Sequence, residues 1–173
     1  VNGDPLRKIL TLEELRQARE SARKAGKRFV FTNGCFDILH RGHIELLRAA
    51  RDLGDQLAVG LNSDASVRRL KGEKRPIVGE EDRAAIVAAL DAVDFVTLFD
   101  EDTPERVISV LKPDVLVKGS DYALEEIVGR SQVEESGGQV VQVPLHGGHS
   151  TEKLLRSIAE RYRDTAQDGT SRR

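Results

Sequence analysis

Tryptophan and methionine are missing from this sequence, aromatic residues make up only 4% of it, and cysteine occurs once. Without large aromatics a core has to be assembled from Val, Leu, Ile and Ala. A single cysteine excludes an intramolecular disulfide framework and fits a reducing compartment, so the chain is expected in the cytoplasm. No apolar run approaches the roughly 20 residues needed to cross a bilayer; one of the longest covers only residues 84–90. The start of the sequence lacks the charged, apolar and small-residue order of a signal peptide, and no membrane partner is expected. An excess of positive charge is absent too. The formal net charge is −2, which argues against a general nucleic-acid surface. A local basic stretch at residues 68–75 still suits a small phosphorylated ligand.

What is present, at 39% hydrophobic and 32% charged over 173 residues, is an ordinary globular composition long enough for one domain. Thr11 followed by Glu14 reads as a capping box, with Leu12, Leu15, Ala18 and Ala22 at helical spacing and Gly26 as the stop. Residues 28–32 then read as a short strand that breaks at Asn33-Gly34. Helices follow at 44–54, 63–70, 80–90, 127–136 and from Ser150, and one begins at Thr103-Pro104 and ends before Pro113. Strands are expected at 56–61, 95–99, 115–118 and 139–143. Five strands alternating with helices predict a Rossmann-like α/β fold: a parallel sheet of five strands, helices on both faces, in a single domain. Residues 1–27 are expected as an N-terminal helical extension of a domain spanning 1–164, and 165–173 as a disordered tail.

In open parallel sheets, ligands bind at the carboxyl ends of the strands. The turn after the first strand carries Asn33-Gly34-Cys35-Phe36-Asp37, then His40 and His43 around Arg41-Gly42. It has neither the spacing of a dinucleotide fingerprint nor that of a GxxxxGK[ST] loop. Gly34 permits close backbone approach. Two histidines three residues apart at a helix start can point the same way, where unpaired N–H groups favour phosphate. A cap or surface histidine is the rival reading. Further His or Cys ligands for zinc are not evident, and no metal-ligating residue is expected. Cys35 reads as a packed small residue.

The run GCFDILHRGH resembles the cytidylyltransferase-like superfamily of nucleotidyltransferases, whose signature contains an HxGH element. LNSDASVRRLKGEKRPIV, VDFVTLFDEDTPERVISVLKPDVLVKGSDY and GHST extend the resemblance, over roughly residues 8–160, to the adenylyltransferases of bacterial ADP-heptose synthesis. The resemblance implies transfer of AMP from ATP to D-glycero-D-manno-heptose 1-phosphate, giving ADP-heptose and pyrophosphate for lipopolysaccharide or a related glycan. Mg2+ is expected with ATP, held largely by phosphates and water. It also implies the stand-alone form of an activity often fused to a sugar kinase, and self-association, with a dimer expected. Three positions depart from the pattern. Ser120 stands in place of a second glycine after Lys118-Gly119, Glu152 in place of a second threonine after Ser150-Thr151, and Gly79 in place of asparagine after Val78.

On this resemblance His40 and His43 are assigned to the triphosphate, with His43 nearest the transition state and Lys71 as a further catalytic cation. Asn33, Gly34, Cys35, Phe36, Gly42, Arg83, Lys118, Gly119, Ser150 and Thr151 are assigned to ATP. Asp37, Asp64 and Asp121 are assigned to the sugar phosphate, with positioning of the loop as the alternative for Asp64 and the ribose for Asp121. Surface charge is the alternative for Lys71, Lys74 and Arg83, a helix cap for Asp121 and Ser150, and His146 and His149 receive no role. A glycerol 3-phosphate cytidylyltransferase is the nearest rival function. A nucleotide-binding regulatory module without catalysis is the rival of another class.

Overall fold

The computed structural model describes residues 4–120, 127–144 and 150–163. A 3-10 turn at Pro5–Lys8 precedes α1 (Leu12–Lys24), β1 (Phe29–Gly34), α2 (Arg41–Arg51), β2 (Gln56–Asn62), α3 (Asp64–Lys71) and α4 (Glu80–Ala88). There follow β3 (Phe95–Phe99), α5 (Glu105–Leu111), β4 (Val115–Gly119), α6 (Arg130–Glu135), β5 (Gln139–Val143) and α7 (Thr151–Tyr162). The strands form one parallel sheet in the order β3-β2-β1-β4-β5. The direction of winding reverses at β1, which pairs with β2 through Phe31↔Ala58 and with β4 through Phe31↔Leu116. The expected five-stranded Rossmann-like fold is therefore the observed one.

Alternation along each strand sends side chains to two separate cores. Val30, Val59, Val115 and Val117 pack with Leu47 and Val87, beneath α2 and α4. Phe29, Phe31, Ala58 and Leu116 face the other way, against Leu15 of α1, Ile108 of α5 and Val133 of α6. Both faces are covered, which is why these strands read as continuous apolar runs. Aspartates fix where the strands begin. The Asp114 carboxylate accepts the Phe29 N–H at 2.7 Å and that of Asp94 the Leu57 N–H at 2.8 Å.

In the segment expected as an N-terminal helical extension, α1 packs into the core through Leu15 and Ala22. The capping box at its start is present, with the Thr11 N–H and hydroxyl donating to the Glu14 carboxylate at 2.8 and 2.7 Å. Leu15 and Ala22 are buried under it. Ahead of it, Leu10 N–H donates to the Val96 carbonyl at 2.8 Å, and Ile9 bridges Val96 along the otherwise open edge of β3.

Three local expectations need correction. β1 does not break at Asn33-Gly34 but continues through both, because β2 supplies partners as far as Leu61. Thr103 does not cap α5; Pro104 occupies that place with no side-chain cap, and the helix begins at Glu105. α6 starts only at Arg130, because Gly129 takes φ 86 and lies where a Cβ would meet Ile108 at 2.4 Å. On α7, Leu154, Ile158 and Tyr162 are exposed.

Arg19 joins α1 to the end of α5 and the start of β4. Its Nε donates to the Leu111 carbonyl at 3.3 Å, and its Nη2 reaches the Lys112 carbonyl at 3.1 Å and the Asp114 carboxylate at 2.9 Å. Arg19→Ala is expected to destabilise the fold by about 2 kcal/mol, less than a fully buried pair because solvent reaches the Asp114 side of it. Urea unfolding at pH 7 measures this, and a change below about 0.5 kcal/mol would mark the contact as incidental.

Candidate functional site

A cleft of about 590 Å³ opens at the carboxyl end of the sheet, over the place where the strand order reverses. Its floor is the end of β1 and the turn beyond it, with Asn33, Gly34, Cys35 and Phe36. The start of α2 contributes His40, Gly42 and His43, and the end of α3 contributes Leu70 and Lys71. From the other half of the sheet come Lys118 and Gly119 at the end of β4, and Ser150, Thr151 and Glu152 at the start of α7. Two helix N-termini thus face one cavity, each with the orphan N–H groups and partial positive charge that suit a polyanion.

The histidines are stacked, with ring centroids 3.8 Å apart, and Phe36 backs His43 at 4.9 Å. The backbone N–H of His40 donates to Nδ1 of His43 at 3.4 Å. That contact leaves the proton of a neutral His43 ring on Nε2, as a donor. Burial pulls the His43 pKa down to about 4, with the neighbouring His40 adding to the effect. At neutral pH the residue is therefore an uncharged hydrogen-bond donor. Burial pushes the Cys35 thiol in the other direction, upward, against the pull of Lys71, Arg83 and Arg75. Cys35 is thus no activated nucleophile.

Gly34 eases a close side-chain contact and does not itself take a left-handed backbone. The left-handed backbone belongs to Phe36, at φ 45, and a Cβ on Gly34 would lie 3.1 Å from the Phe36 ring. The turn folds Phe36 back over Gly34, and this places the ring behind His43. Lys118 donates through Nζ to the Asn33 side-chain oxygen, joining the ends of β4 and β1.

Three residues expected to touch ligands have their charged groups engaged within the protein. Arg83 is 1% exposed and does not line the cleft. Its guanidinium donates to the carbonyls of Cys35 at 2.6 Å, Asn62 at 2.9 Å and Val78 at 3.0 Å, and to the Asp64 carboxylate at 2.8 Å. It is no surface charge but an internal brace. Asp64 is its partner and stands outside the cleft lining. Asp37 lines the cleft but is 4% exposed, with its carboxylate occupied by Arg75 and two backbone N–H groups. Asp121, His146 and His149 lie outside the described residues. Sequence reading missed Arg75, Asn62, Leu46, Ile127 and Val128 as residues lining the cleft. Only the position of Arg75 in a basic stretch could have signalled it. Among the described residues no three His, Cys, Asp or Glu side chains gather as a metal site, and no helix is long and apolar enough to cross a membrane.

The profile of the family described as cytidylyltransferase-like matches residues 31–151. The chain is 53% identical over 161 residues to the bifunctional protein HldE of Pelobacter propionicus, and 52% identical over 161 residues to that of Geobacter sulfurreducens. In both cases 93% of this chain is covered, and it spans about a third, 33%, of the relative's length. Among solved structures, a lipopolysaccharide core biosynthesis protein from Thermoplasma volcanium aligns with a TM-score of 0.59 and 32% identity, over 72% of this chain and 100% of the other. The pantoate-beta-alanine ligase of Francisella tularensis aligns with a TM-score of 0.63 over 95% of this chain and 81% of that one, at 15% identity, a likeness of fold.

The depressed His43 pKa has a consequence for stability. An unfolded histidine titrates near 6.5 and this one near 4, so between those values the unfolded chain binds the extra proton. Stability contributed at neutral pH is therefore lost as pH falls from about 6.5 towards 4. His43→Asn is expected to shrink the difference in unfolding free energy between pH 7 and pH 5, read from urea curves. An unchanged difference would assign the acid sensitivity to other groups.

Proposed function

This chain belongs to the cytidylyltransferase-like family, and we propose that it transfers AMP from ATP to D-glycero-D-manno-heptose 1-phosphate, forming ADP-heptose and pyrophosphate. The observation that carries the reading is the convergence of the HxGH turn, Lys71, Lys118 and the α7 N-terminus on one cleft at the strand-order reversal. The choice of heptose is supported by the resemblance of residues 61–78 and 93–122 to ADP-heptose adenylyltransferases. It is also supported by the likeness to a lipopolysaccharide core biosynthesis protein. The same reading includes work in the cytoplasm as a homodimer.

In the proposed reaction an oxygen of the sugar phosphate attacks the α-phosphorus of ATP. A new O–P bond forms as the bond from that phosphorus to the α,β-bridging oxygen breaks, and pyrophosphate leaves with the bonding electrons. The nucleophile is already an anion at neutral pH, so no general base is required. What remains is to align two anions and to stabilise charge on the transferring group. His43, as a neutral donor through Nε2, and His40 beside it contact the triphosphate. The main-chain N–H groups at the starts of α2 and α7 add donors that need no rearrangement. Lys71 supplies full positive charge from an exposed position at the end of α3. The apolar surfaces of Ile127 and Val128 offer a wall for the base. Mg2+ would add charge neutralisation on the phosphates, but the described residues build no cage for it, and its ligands would be phosphate oxygens and water.

The test is pyrophosphate release from each pairing of ATP, CTP or GTP with heptose 1-phosphate or glycerol 3-phosphate. Turnover is expected with ATP and heptose 1-phosphate, and His43→Ala should lower kcat by about 10²–10³-fold, the usual effect of one transition-state donor. Heptose 1-phosphate inert with every nucleotide would sink the proposal. ATP binding without turnover of any acceptor would instead favour a regulatory module.

A further inference from the structure

The loop 72–79 links α3, which ends at Lys71, to α4, which carries Arg83. It has little apolar anchorage, since Ile77 is 54% exposed and glycines stand at both ends. Its fixed point is the buried Asp37 carboxylate in the turn after β1. Oδ1 accepts the backbone N–H groups of Ile77 at 2.8 Å and Val78 at 2.9 Å, and Oδ2 accepts Nε of Arg75 at 2.5 Å. The Asp37 side chain is 1% exposed and that of Arg75 is 14% exposed. The donors come from residues 38, 40 and 41 positions further along the chain. Arg75 N–H also donates to the Gly72 carbonyl at 3.0 Å, so the arginine ties the start of the loop, next to Lys71, to the same carboxylate that holds its end.

We infer that Arg75 is a positioning residue, which through Asp37 latches the Lys71 loop onto the turn that leads to His40 and His43. A buried carboxylate with fewer than its present donors is costly, so the carboxylate and the loop hold each other in one arrangement. Asp37 is then no sugar ligand. It is the socket that sets the distance between the histidine pair at the start of α2 and the lysine at the end of α3. Both groups line the cleft together with Arg75. Arg83 works alongside from behind the wall, holding the Val78 and Cys35 carbonyls, so the loop is gripped on two sides. The Lys71 part of the inference rests on the adenylyltransferase reading, whereas the latch itself does not.

Two measurements on the full chain test it. Amide hydrogen exchange, without substrate, should be slow at Ile77 and Val78 and faster in Arg75→Gln, with the strands β1 and β2 unchanged. Arg75→Lys should restore part of the protection. In steady-state kinetics Arg75→Gln should lower kcat/KM by about a hundredfold, as expected for a misplacement on the order of 1 Å. Lys71→Ala should cost a similar factor, and the double variant should be no worse than either single change, because Arg75 acts through Lys71. Losses that multiply in the double variant would overturn the positioning role. Exchange at Ile77 and Val78 that Arg75→Gln leaves unaltered would overturn the latch. If the unaltered chain turns over no sugar phosphate, the adenylyltransferase reading fails separately. The exchange experiment, repeated with ATP present, then decides the latch alone: equal protection in Arg75→Gln and the unaltered chain overturns it.

Discussion

Arg83 is the group around which the ligand-facing half of the molecule is organised. Its guanidinium sits where four segments meet: the turn after β1, the end of β2, the start of α3 and the loop before α4. Carbonyls at the ends of parallel strands have no further strand to pair with, and in a buried position each is expensive to leave without a donor. One planar cation with five donors in a fixed fork can serve several of them at once. A lysine in the same place has a compact head and no such fork. The Asp64 carboxylate at 2.8 Å balances the charge, and Glu80 closes the arrangement by accepting the Asp64 N–H at 2.6 Å. The cleft wall is therefore built on an ion pair whose members are not in the cleft.

That construction explains why the sheet was legible from sequence and part of the site was not. The strands announce themselves because both faces are covered, and β3 and β5 fall at the residues expected for them. The stacked histidines were legible as well, because a helix start is a local event and a spacing of three places both rings on its first turn. The roles of Asp37, Asp64 and Arg83 depend on contacts 19 to 48 residues apart. A polar residue near a ligand-binding turn has the same local sequence whether it faces the ligand or supports the wall. Burial separates the two cases, and burial is a tertiary property. Gly34 carries the same lesson on a smaller scale: the neighbouring Phe36 takes the strained backbone angle, and the glycine makes room for its ring.

The departures from the family pattern fall on this frame unequally. Gly79 is the N-cap of α4 and offers no side-chain acceptor there, and a Cβ would meet nothing nearer than Asp64 at 3.8 Å. Its weaker capping is offset by Arg83 and Glu80, which already fix the start of that helix from inside. Glu152 is different, because it lines the cleft one residue into α7. A carboxylate there suits the helix dipole but opposes a phosphate at the same N-terminus. Under the proposed function, anion contact at α7 would fall to Ser150, Thr151 and the main chain, with Ser150 also accepting the Lys153 N–H at 3.2 Å.

The positive charges around the cleft divide into committed and available ones. Arg83 and Arg75 are tied to carboxylates and carbonyls within the fold, and Lys118 is engaged with Asn33. Lys71 is exposed and has no salt bridge among the described residues. His43 carries no charge at neutral pH, since its pKa lies near 4. A triphosphate entering this site therefore meets donors whose hydration is cheaper to remove than that of a cation. Under the proposed function, a bound triphosphate would favour a protonated ring and raise the His43 pKa from its low starting point. Before the nucleotide binds, the imidazole at neutral pH is an uncharged donor, held against His40 and Phe36.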